Sequence, residues 1–72
     1  PISTAERSLL IMGGILILAM ECMNTAIERV VDDISRDKSE LAKQAKDTAS
    51  AAVALSAIAV GFAWIVIILG IL

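Results

Sequence analysis

Histidine and tyrosine are missing from this 72-residue chain, cysteine and proline occur once each, and aromatic residues make up 3%. Each absence removes a class of chemistry. With no histidine and a single thiol, Cys22, no metal motif of the cysteine/histidine kind can be assembled. Cys22 also lacks a partner for an internal disulfide, and inside an apolar helix it reads as a small packing residue. There is no Walker A loop, no glycine-rich kinase loop and no H-R-D or D-F-G segment, so any nucleotide chemistry must rest on an unrelated scaffold. A net charge of −2 gives no electrostatic case for nucleic acid or anionic lipid. The basic n-region of a secretory signal is absent, as are internal repeats and low-complexity linkers.

Hydrocarbon is what the chain has in excess. Hydrophobic residues reach 58% and mean hydropathy is +0.87, where soluble domains sit near about 45–50% apolar. The 24 residues from Ala49 to Leu72 carry no charge, and about 20 apolar residues in a helix cross the hydrocarbon of a bilayer. A soluble core helix would keep a polar face, whereas this run offers only Ser50 and Ser56. Leu9 to Met20 is also uncharged, and the apolar pattern resumes through Ala26, Ile27, Val30 and Val31.

The expectation is an all-α membrane protein with two transmembrane helices in a hairpin. A single membrane domain covers 1–72. Its first helix runs over 3–34, opened by a capping box of Ser3 and Glu6. A turn occupies 35–38, and a second helix over 39–72 enters the membrane near Ala49. Pro1 in place of an initiator methionine points to a fragment or a processed chain. Two helices bury little surface against each other, so oligomerisation or further helices are expected. Arg29, Arg36, Lys38, Lys43 and Lys46 gather at the loop end against Arg7 at the other, which places the loop in the cytoplasm. The second helix is rich in small residues, with Ala57 and Gly61 spaced for close helix contact.

Against this background, Glu21, Asn24, Glu28 and Asp32 stand out. An ionisable group at membrane depth costs roughly 2.5–3.5 kcal/mol, so such residues are uncommon without a role. Their spacing puts them in one stripe along one side of the first helix, with Thr25 among them. From the second helix come Lys43, Lys46, Asp47 and Ser50 at similar depth, and Glu28 and Lys46 lie at comparable distances from the turn. The acids are expected to gather with Lys46 in one pocket beneath the headgroups. Carboxylates there suit Mg²⁺, which takes one or two of them and completes its shell with water and phosphate oxygens. A lysine supplies point charge for a phosphoryl group. Glu21, the deepest acid, is the best candidate for a base that takes a proton from a lipid hydroxyl. Asp33, Asp37, Glu40 and Lys43 read as a solvated loop.

Two blocks, E-C-M-N-T-A-I-E-R-V-V-D (Glu21 to Asp32) and A-K-D-T-A-S-A-A-V (Ala45 to Val53), resemble the bacterial integral-membrane diacylglycerol kinase family, which includes undecaprenol kinases. The resemblance implies ATP-dependent phosphorylation of a lipid hydroxyl at the cytoplasmic face of the bacterial inner membrane, with Mg²⁺. It also implies a homotrimer of three-helix subunits whose active sites are shared between neighbours. By that likeness Glu21 is the general base at the lipid substrate, and Glu28 binds Mg²⁺ with the ATP phosphates. Asp37, Lys38, Ser39, Lys46 and Asp47 contact the nucleotide, Ser50 lies near the lipid, and Asn24 and Asp32 support the site. Arg36 and Lys38 depart from the family's loop pattern. The family's surface helix and first membrane helix, which carry a metal-binding glutamate and an arginine, precede the portion seen here, so the fragment alone is expected to be inactive. Diacylglycerol is favoured over undecaprenol as substrate. The reading from another class is a non-catalytic oligomerising hairpin. A proton pathway is disfavoured, because polar residues cluster at one end of the span.

Overall fold

The computed structural model describes residues 1–35 and 39–72, so the expected turn lies, apart from Ser35, outside the described residues. Two helices account for almost everything else: α1 (Thr4–Ile34) and α2 (Glu40–Ile71).

The helix starts are set by hydroxyls. Ser3 Oγ accepts from the Glu6 amide at 3.0 Å, and Glu6 Oε1 accepts from the Ser3 amide at 2.8 Å, which completes the capping box. The Ser3 backbone amide, and after it the Ser3 side chain, hold the Glu6 carboxyl below its ordinary value. At the other end of α1 the Ser35 amide donates to Val31 O at 2.8 Å. Ser39 then caps α2, its Oγ accepting from the Ala42 amide at 3.1 Å. Ser35 Oγ accepts from the Ser39 amide and donates to Ser39 Oγ, both at 3.3 Å, so the end of one helix is tied to the start of the next.

The two helices run antiparallel along one seam. On α1 the half-buried residues Leu10, Gly13, Ile17, Met20, Asn24, Ile27 and Val31 recur at alternating spacings of three and four. On α2 the matching set is Ala42, Lys46, Ala49, Val53, Ser56, Val60, Ala63 and Ile67, of which Ala42, Ala49 and Ile67 are buried. This is the seam that lets two long helices stay in contact by supercoiling slightly around each other. Gly13 marks the closest approach. A Cβ there would stand 2.9 Å from Val60 Cγ2, on a β-branched side chain with little freedom to yield, whereas Gly14 faces open space.

Outside the seam the surface is hydrocarbon: Ile11, Ile15 and Leu18 on α1, and Ile58, Phe62, Ile65 and Leu69 on α2, are all exposed. Both helices are long and apolar enough to cross a membrane. The molecule measures 53 × 16 × 9 Å, longer than the roughly 30 Å of a bilayer's hydrocarbon, so its polar end projects into the headgroup region. Ser56 Oγ bonds Ala52 O at 2.8 Å, which satisfies the one hydroxyl deep in the apolar run from within its own helix.

Candidate functional site

Beyond Glu21, α1 carries its polar stripe toward the seam. Asn24 is half-buried, and its Nδ2 donates to Glu28 Oε1 at 3.1 Å. Only the amide's NH₂ end can face a carboxylate, which fixes the side chain's orientation. It leaves Asn24 Oδ1 buried with no hydrogen-bond partner among the described residues. A buried acceptor of this kind is costly unless a donor reaches it from outside the hairpin.

One turn further on, Asp32 forms a salt bridge with Lys46 across the seam. The sequence alone allowed Glu28 to meet Lys46; instead Glu28 takes the amide of Asn24 and acts on Lys46 through its charge. The Asp32 hydrogen bond, followed by the charges of Asp32 and Glu28, raises the Lys46 ammonium above its ordinary value. Val31, Asp32, Ser35, Ala42, Lys43, Lys46 and Asp47 line a cavity of about 240 Å³ at this end of the hairpin. Lys43 and Asp47 are exposed on its rim. The sequence allows Lys43 two places, in the solvated loop or beside Lys46 and Asp47 on the second helix, and the cavity has it beside them.

Glu21 stands apart. It lies on the flank of α1, exposed, in a shallow concavity with Leu18, Cys22 and Thr25. The single pocket expected for the acids is thus two concavities in this chain. The reason is rotational: the seam selects Met20, Asn24 and Ile27, and Glu21 is turned roughly 60° off Asn24 about the axis. Along the axis Glu21 and Glu28 are separated by about 10 Å, room for a hydroxyl and a phosphoryl group between them.

The remaining residues singled out from the sequence divide as follows. Ser39 is at the loop end with its hydroxyl committed to capping. Ser50 is exposed next to buried Ala49. Asp37 and Lys38, with Arg36, lie outside the described residues. Among the described residues no three acidic or thiol groups converge on a point that would hold a metal ion by themselves. Glu28 Oε1 is engaged by Asn24, and Glu28 is half-buried beside the cavity's acid–lysine pair.

Two long apolar helices with acids and a lysine drawn together at one end define the class: a helical membrane hairpin with one polar end. Comparison with known proteins makes the class specific. The model of the prokaryotic diacylglycerol kinase family matches residues 1–68. The chain is 39% identical over 69 residues to a diacylglycerol kinase of Pseudomonas aeruginosa, covering 96% of this chain and 56% of that protein. Against the diacylglycerol kinase of Haemophilus influenzae it is 41% identical over 59 residues, covering 82% and 50%. Against that of Escherichia coli it is 37% identical over 67 residues, covering 93% and 55%. The chain belongs to the prokaryotic diacylglycerol kinase family. It spans about half the length of the curated relatives it matches. No solved structure matches it.

Proposed function

We propose that this chain supplies the acid-bearing hairpin of a membrane lipid kinase that transfers the terminal phosphoryl group of ATP to the hydroxyl of diacylglycerol, at the cytoplasmic face of the bacterial inner membrane. The observation that carries the reading is the succession of polar contacts at one end of an otherwise apolar hairpin: Asn24 bonds Glu28, and one turn on Asp32 pairs with Lys46 across the seam.

The chemistry follows from position. Glu21, deepest along α1, takes the proton of the lipid hydroxyl as its oxygen bonds to the γ-phosphorus; the bond to the bridging oxygen breaks and ADP leaves. Its outward, lipid-facing concavity is where a membrane-embedded alcohol can approach. Glu28 fits Mg²⁺ in the way that ion is usually held, by one or two carboxylates with the rest of the shell from phosphate and water. The bound ion would neutralise charge on the transferring phosphoryl. Lys46, Asp47 and Ser39 are assigned to the nucleotide and Ser50 to the lipid, with Asp37 and Lys38 assigned to the nucleotide on the family likeness alone; Asn24 and Asp32 orient Glu28 and Lys46.

The exposed, outward Glu21 calls for groups beyond these two helices. We read the complete site as lying between this hairpin and an additional helix in a trimeric bundle of three-helix subunits. The 72 residues alone then lack activity.

The test is phosphate transfer from radiolabelled ATP in mixed micelles by the complete protein, with diacylglycerol and undecaprenol as separate acceptors. Diacylglycerol is expected to be the better acceptor. Glu21→Gln and Glu28→Gln each keep side-chain size and are expected to lower turnover by about 100-fold or more while assembly persists. Transfer at the wild-type rate in either variant removes that residue's role. No transfer by the unmodified protein to any lipid alcohol leaves the non-catalytic hairpin.

A further inference from the structure

Lys43 is the cationic residue on the cavity that the reading above does not use. It lies one turn before Lys46 on α2 and lines the same cavity as Asp32, Lys46 and Asp47. Helical spacing puts Lys43, Asp47 and Ser50 in one row, with Lys46 beside it. The row is graded by depth. Ser50 opens the apolar run, and Lys43 is about 10 Å nearer the water along the axis. Of the two lysines, Lys46 is engaged by a carboxylate, and Lys43 has no salt bridge to any described carboxylate.

We infer that Lys43 is a nucleotide-binding residue, one that holds the α-phosphate, the outer end of the polyphosphate that stays on the leaving ADP. This rests on the kinase reading. Transfer must occur at the membrane end of the row, where the lipid hydroxyl is, so the nucleotide extends from there toward the loop. The phosphoryl being moved lies near Glu28 and Lys46. The rest of the polyphosphate runs outward past Asp47 to the rim, where Lys43 is the cation that offsets its charge beside that carboxylate. An ammonium on a flexible stem suits this position, since it follows an anion without demanding fixed geometry. A contact to the α-phosphate, whose bonds do not change, is made equally in the ground state and the transition state. It therefore governs binding and not the rate of the chemical step.

The experiment is steady-state kinetics of the complete protein with Lys43→Gln and Lys43→Arg, alongside Lys46→Met. Lys43→Gln is expected to raise the KM for MgATP and the inhibition constant for MgADP by the same factor, about three- to tenfold, as for one exposed charge contact. It leaves kcat and the KM for lipid unchanged, and Lys43→Arg restores most of the loss. A Lys43→Gln enzyme with wild-type MgATP and MgADP constants overturns the inference while the Lys46→Met defect leaves the kinase reading standing. A fall in kcat with unchanged nucleotide constants also overturns it. If the unmodified protein neither binds MgADP nor transfers phosphate, the underlying reading fails and the inference with it.

Discussion

At the scale of single residues, the Asp32–Lys46 pair is the salt bridge between α1 and α2 at the polar end. It is partly exposed, so its contribution to stability is modest, and its importance lies in holding the lysine's position. Its pH dependence has a definite sign. The folded hairpin raises the lysine's pKa, so the stabilisation is complete below the unfolded lysine's value and is lost as pH climbs through the folded one. In the complete protein in detergent, thermal stability should be flat with respect to this pair across neutral pH and decline in strong alkali. Asp32→Asn should remove that part of the alkaline decline. Melting curves from pH 8 to 12 for both proteins check it, and identical alkaline profiles would show that the pair contributes nothing.

At the scale of the helix, one close approach between α1 and α2 falls at Gly13. Gly13 admits Val60 where any Cβ would clash, while Gly14 next to it has open space. Gly13→Ala should therefore separate the helices locally and destabilise the hairpin by about 1–3 kcal/mol, the range for overpacking. Gly14→Ala should be neutral in the isolated hairpin or stabilise it by up to about 1 kcal/mol through helix propensity. Unfolding in mixed detergent distinguishes them, and equal effects would mean that the close approach is absent. The same contact explains what could be read beforehand. Two uncharged runs and the Ser3–Glu6 pattern made the membrane helices and the first cap legible, because hydropathy and capping are local properties. The stripe of Glu21, Asn24, Glu28 and Asp32 was legible as well, since spacing fixes a helix face. Which edge of that face meets α2 was not. The rotation of α1 about its axis belongs to the whole seam from Leu10 to Val31 packed on α2, and in that rotation Lys46 meets Asp32 and Glu21 is turned outward.

At the scale of the whole molecule, the open question is which way the hairpin faces, because ATP is available on one side only. The chain's apolar surface and its 53 Å length require lipid, or other helices within lipid, around the middle of both helices. Its basic residues sit at one end: Arg29, Lys43 and Lys46 on the described helices, with Arg36 and Lys38 between them, against Arg7 near the start of α1. The bias toward cytoplasmic lysine and arginine leads to the expectation that this end is inside the cell. On that expectation Gln44, exposed early in α2, is cytoplasmic, and Thr4, exposed at the start of α1, is on the opposite side. Cys22 is about 9 Å deeper along α1 than Glu28, on the lipid-facing flank. In the complete protein with Cys22→Ala, a membrane-impermeant maleimide should label Gln44→Cys in inverted vesicles but not in intact spheroplasts. Thr4→Cys should show the reverse, and Cys22 in the unsubstituted chain should resist the reagent from both sides. Labelling of Gln44→Cys from outside the spheroplast would set the acids and lysines on the face without ATP and would end the lipid kinase reading, whatever the likeness in sequence.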